Sequence, residues 1–79
     1  MAQLPTPVEC GRQVLSIYKS MGIRAEQILL LQNLRRGFLN PPWHEEDLIA
    51  GLKWCISQGY LREGKPHAYF LTAKGFESL

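Results

Sequence analysis

Little in this chain is suited to covalent chemistry. It has two cysteines, Cys10 and Cys55, and two histidines, His44 and His67. None of the four falls at the roughly two-to-five-residue spacing of a metal-ligand set. There is no nucleophile motif, no glycine-rich phosphate loop and no cofactor fingerprint, and a chain of this length has little room for a cleft of ligand size. Glu45, Glu46 and Asp47, with His44 beside them, are the one cluster with acid–base capacity. Placement in the first turn of a helix, where the positive end of the macrodipole favours carboxylates, accounts for all three. The expectation is a protein that is not an enzyme and carries no cofactor or metal.

Charge is also scarce. Charged residues make up 20% of the chain and the net charge is only +2. The isoelectric point of 8.7 falls just under the value of roughly 9 that marks domains living on phosphate backbones. Nucleic acid is permitted as a partner but not demanded. No apolar run approaches the roughly 18 residues needed to cross a bilayer, and the amino terminus lacks a basic stretch followed by a hydrophobic one, so a cytoplasmic location is expected. Both cysteines lie in apolar, helix-like segments and read as buried small hydrophobes rather than as a disulfide. What is present is an apolar fraction of 46% in 79 residues, an ordinary globular composition sufficient for one core. A chain of this size buries only about 60 to 65% of its unfolded surface, so its stability margin is thin.

The order of local signals can be followed along the chain. Residues 1 to 7 hold two prolines and no periodicity, an extended lead-in to a single domain over residues 8 to 79. Thr6 and Glu9 have capping-box spacing, and helix one is expected over residues 7 to 20, with Val14, Leu15, Tyr18 and Met21 at helical spacing and Val8 and Gly11 on the same stripe. Gly22 stops it. Helix two is expected from Arg24 to Arg36. Its centre, Ile28-Leu29-Leu30-Leu31, is apolar around most of the circumference, and Leu29 is either packed by helix one or exposed to a partner subunit. Gly37 ends this helix, and Phe38-Leu39 suits a one-bridge strand before Pro41-Pro42. Helix three begins near Trp43 or His44 and lasts to Gln58, before Gly59. Projection places Leu48, Ile49, Leu52, Cys55 and Ile56 on its core face, and Glu46, Ala50, Lys53, Trp54 and Ser57 opposite.

The last third is the most specific. Tyr60 to Arg62 and Ala68 to Leu71 are β-prone and flank Glu63-Gly64-Lys65-Pro66-His67, a loop of turn formers that closes a hairpin. Thr72 then caps a helical stub over Ala73 to Leu79, in which Phe76 and Leu79 can pack three residues apart. Through Gly59-Tyr60-Leu61 and Tyr69-Phe70-Leu71-Thr72-Ala73-Lys74-Gly75, the chain resembles the winged helix-turn-helix superfamily in the style of small bacterial regulators. The resemblance covers about residues 24 to 79 in element order. It implies an α+β winged helix: a three-helix core, a short carboxy-terminal hairpin wing and a terminal helical stub.

The resemblance further implies a small DNA-binding or transcription-regulatory protein in which helix three enters the major groove and the hairpin touches a neighbouring phosphate. Candidate contacts to double-stranded DNA are Arg35, Arg36, Lys53, Arg62 and Lys65, with His67 beside them on the wing. The linker from Gly37 to Pro42 is longer than the usual turn, and three carboxylates lead helix three, where a polyanion is repelled. Two copies would have to bind together for useful affinity. The alternative is a winged-helix-shaped protein-interaction module, or a homodimer, using an aromatic surface of Trp43 and Trp54 with Leu29. For Trp43, a cap over the end of helix two beside Pro42 is the simpler account of the residue.

Overall fold

The structure is a computed structural model that describes residues 6–40, 43–64 and 67–79. Helix α1 spans Pro7–Ser20, the range its sequence signals predict. Its start is fixed by a reciprocal cap: the Glu9 N–H donates to the Thr6 hydroxyl at 3.2 Å, and the Thr6 N–H donates to the Glu9 carboxylate at 3.1 Å. Such a box satisfies two of the donors that a helix start leaves free. The buried face runs through Cys10, Gly11, Val14, Leu15, Ile17 and Tyr18. Val8 and Met21, the ends of the expected stripe, are exposed. Gly22 follows in the left-handed region, at φ 70°, where a side chain would be strained.

The single helix expected over residues 24 to 36 does not form. Strand β1 occupies Ile28–Leu30 and helix α2 only Leu31–Phe38. The backbone groups of this segment are taken by a distant partner: the Glu26 N–H donates to the Leu71 carbonyl at 2.6 Å, the Leu71 N–H to Gln27 at 3.0 Å and the Leu31 N–H to His67 at 2.7 Å. A backbone committed to those bonds cannot also make helical ones. Phe38 and Leu39 form no strand. Phe38 closes α2 fully buried, and the Leu39 N–H caps it by donating to the Arg35 carbonyl at 2.8 Å. Gly37 thus lies inside α2 rather than ending it.

Helix α3 spans Glu45–Ser57 and is stopped by Gly59 at φ 79°. The hairpin follows as expected, with β2 at Leu61–Glu63 and β3 at Ala68–Leu71. Among the described residues these strands make an antiparallel three-stranded sheet in the order β1-β3-β2, with Leu29 opposite Tyr69 and Leu61 opposite Leu71. Thr72 is shared by two elements. Its hydroxyl accepts from the Gly75 N–H at 3.0 Å to cap helix α4, Ala73–Glu77, and donates to the Gly59 carbonyl at 2.6 Å at the end of α3. Leu79 packs on the core while Phe76 is exposed. The architecture is α+β, four helices and one sheet among the described residues, none of whose helices is long and apolar enough to cross a membrane.

One core joins all layers: Val14, Leu15 and Tyr18 of α1, Leu34 and Phe38 of α2, Leu48, Leu52 and Cys55 of α3, and Leu29, Leu61 and Leu71 of the sheet. Tyr18 is fully buried, and its hydroxyl donates to the Tyr69 carbonyl at 3.1 Å, tying α1 to β3. The tightest crossing is between α1 and α3. A Cβ on Gly51 would stand 2.6 Å from the Cys10 carbonyl oxygen and 2.9 Å from Val14 Cγ2, and one on Gly11 would run into the Trp54 ring. The Cys55 thiol donates to the Gly11 carbonyl at 3.4 Å in the same crossing. Because the obstacle at Gly51 is backbone, it cannot rotate aside. Gly51→Ala is expected to destabilise the fold by about 2–3 kcal/mol through overpacking, read as a lower urea midpoint. An unchanged midpoint would show that the two helices separate freely.

Candidate functional site

The helix crossing decides which side of α3 faces outward. Leu48, Gly51, Leu52 and Cys55 are buried, and Trp54 flanks them. Ile49 and Ile56, expected in the core, are instead 48% and 39% exposed. The buried arc is rotated toward Gly51, because a residue without a side chain allows the closest approach and pulls its own face inward. Turned outward with the two isoleucines are Glu46 and Lys53, and at 100 degrees per residue these four occupy an arc of about 80 degrees.

Beside this arc lies a groove of about 330 Å³ between α2, α3 and the hairpin, whose apolar walls are Leu31, Ile49, Leu52, Ile56 and Tyr69, with Arg35, Glu45, Lys53 and Glu63 also lining it. It adjoins a second hollow at Leu30, Leu31, Arg35 and His67 through shared residues Leu31 and Arg35. Leu30 is 46% exposed. Leu30, Leu31, Ile49 and Ile56 therefore give apolar surface to two adjoining hollows, and apolar surface left exposed is the kind that marks an interaction site. Burial and the Glu63 carboxylate both hold the Tyr69 hydroxyl above its ordinary pKa, so that wall stays uncharged.

The cations proposed from sequence are only partly gathered here. Arg35 and Lys53 line the same groove. Arg35 is engaged by Glu45, Nη2 to Oε1 at 2.6 Å, with both side chains about half exposed, a pair worth at most about 1 kcal/mol that joins α2 to the start of α3. Arg62 reaches Glu26 at 3.4 Å and lies 5.0 Å over the Phe70 ring. Arg36 is exposed in the last turn of α2, where it complements the helix pole. Lys65 lies outside the described residues.

Of the three residues proposed from sequence for an aromatic surface, Leu29 is corrected by its burial. Leu29 is 6% exposed, in β1 and part of the core. Trp54 is half-buried, laid across Gly11 of α1 and 5.5 Å from the Tyr60 ring; it covers another helix of its own chain. Trp43 is half-buried at 5.2 Å from Phe38, the cap over the end of α2. The residues that sequence reasoning missed as outward are Ile49 and Ile56. The available signal was Gly51, a glycine inside an otherwise good helix, which points to close packing on its own side.

The acidic start of α3 has a structural use. The His44 N–H donates to Asp47 Oδ2 at 2.9 Å, and Glu45 holds Arg35, leaving Glu46 without an ion-pair partner among the described residues. The thiols are far from nucleophilic. Burial pushes Cys55 from 9.0 up to about 12, and burial, then the Asp47 and Glu9 charges, raise Cys10, so both stay as thiols at neutral pH. Burial likewise raises Tyr18, with Cys55 and Tyr69 adding to it. Among the described residues no three His, Cys, Asp or Glu side chains gather to hold a metal ion. No protein-family model, curated protein or solved structure matches the chain.

The raised Cys55 pKa has a defined pH signature. Below about pH 9 folded and unfolded chains both hold the proton; between 9.0 and about 12 only the folded one does. Stability is therefore full below that window and falls as pH rises through it, by about 1.4 kcal/mol per pH unit for one thiol. Urea melts at about pH 8 and about pH 10 are expected to show this loss in the wild type and a smaller one in Cys55→Ala; equal losses would remove Cys55 as the cause. Asp47→Ala is expected to cost about 1 kcal/mol as a lost helix cap, measured the same way, with no change indicating that His44 is satisfied by water instead.

Proposed function

We propose that this chain is a non-catalytic winged-helix module that recognises a protein through the outward face of α3 and the groove beside it. The winged-helix reading is supported by element order, helix–strand–helix–helix–hairpin, and by a sheet in which the first strand pairs with the last. In such a domain α3 corresponds to the recognition helix and β2–β3 to the wing. The observation that carries the functional reading is the exposure of Ile49 and Ile56, at 48% and 39%, on the helix face that would otherwise meet a nucleic acid. Exposed apolar side chains on such a face are what the core of a protein interface is built from. Arg35, Glu45, Lys53 and Glu63 bring both signs to the groove, as an interface rim does.

The same face suits a duplex poorly. Glu45, Glu46 and Asp47 lead the helix, and phosphates repel them. Arg35 and Arg62 are already set against carboxylates, so each would have to give up a pair before gaining a phosphate. The regulatory DNA-binding reading retains Arg36, Lys53 and Arg62 as exposed cations. Its support is the same helix-and-hairpin order.

The two readings separate in a titration of a fluorescent random-sequence duplex. The expected result is no binding at tens of micromolar protein and physiological salt. Binding that falls steeply with salt, and weakens in Lys53→Ala and Arg62→Ala, would replace protein recognition by DNA recognition, since each lost phosphate contact lowers the salt slope by about one.

A further inference from the structure

Building on the reading of α3 as a protein-docking face, we propose that its occupant is a second copy of this chain, with the two α3 helices antiparallel across a two-fold axis beside Ile49. The outward arc reads Glu46, Ile49, Lys53, Ile56, and all four are exposed. Glu46 and Lys53 are seven residues apart, about 10.5 Å along the helix, with Ile49 near the midpoint. Rotation by a half-turn about an axis through that midpoint exchanges the ends. Each Glu46 then meets the Lys53 of the other copy, and the two Ile49 side chains meet at the centre.

Such a stripe is complementary to itself, which is the defining property of an isologous interface. Glu45 bears on the choice of carboxylate: it is committed to Arg35, whereas among the described residues neither Glu46 nor Lys53 has an ion-pair partner. Parallel helices would bring Glu46 against Glu46 and Lys53 against Lys53, so the charges also select the antiparallel direction. The groove supplies the rest of the fit. Its apolar walls of Leu31, Leu52 and Tyr69 lie along the same side of α3 as Ile49 and Ile56, which line the same groove, so the apolar surface beside the contact widens what the second copy can cover. The net charge of +2 is too small to oppose association of two copies.

The test is sedimentation velocity on the wild type and four variants, with circular dichroism melts to check folding. The wild type is expected to dimerise with a Kd of about 10–100 µM. Glu46→Lys and Lys53→Glu each place like charges at both ends of the contact and should weaken it by about tenfold or more. The combined Glu46→Lys/Lys53→Glu chain restores opposite charges and should recover to within about threefold of the wild type. Ile49→Asp should be monomeric and remain folded, because its side chain lies outside the core. A wild type that is monomeric at about 1 mM overturns the proposal, as does a combined variant no stronger than its parents. A monomer that also ignores duplex DNA sinks self-association alone, whereas salt-sensitive duplex binding sinks the docking reading beneath it.

Discussion

Where α1 crosses α3, a carbonyl oxygen of one helix lies 2.6 Å from the place a Cβ would take on Gly51 of the other, and the Trp54 ring fills the corresponding space over Gly11. Two small residues, one on each helix, let the backbones approach, and the large indole closes the gap at its edge. The remaining elements are arranged around that contact. Val14 and Cys55, both fully buried, and Tyr18 beside them place α1 as the central rod on which α3 and the sheet rest. A chain of this size has no second core to compensate for a loosened first one.

The sheet depends on the same rod. Tyr18 binds the Tyr69 carbonyl, and β3 carries a neighbour on each edge. Two non-glycine residues, Glu26 and His67, sit in the left-handed region at φ 66°, at opposite ends of the β1–β3 ladder. Both are bound through their backbones across it, Glu26 to Leu71 and His67 to Leu31. The sheet thereby holds a conformation that those residues would avoid in isolation. Gly75 of α4 packs on the Tyr60 carbonyl, and Thr72 joins the hairpin exit to the end of α3, so that the hairpin, the last helix and α3 are held at one point.

The outward face of α3 follows from these constraints. Because the glycine side of α3 turns to α1, two isoleucines are displaced from the core to the surface, and the sheet and α2 form a groove against them. The protein thus carries exposed apolar surface on the outward face of α3 and in the groove beside it. The acidic residues at the helix start serve the fold, Asp47 as a cap and Glu45 as a link to α2, while Glu46 has no ion-pair partner among the described residues.

Local signals determined α1 with its capping box, the stop at Gly59, the hairpin and the Thr72 cap, because each depends on side chains within about four residues of the backbone groups they satisfy. The burial of Cys10 and Cys55 was legible for a similar reason, both lying in segments whose helical signals are local. Tertiary structure alone decided two matters. Ile28-Leu29-Leu30 became a strand because its backbone partners lie some forty residues away in β3, and an apolar run without periodicity carries no record of them. The facing of α3 was settled by how closely Gly51 can approach Cys10, a distance that no helical projection contains. Apolar side chains occupied enough of the helix that more than one arc could have been buried, and close packing chose the one bearing the smallest residue.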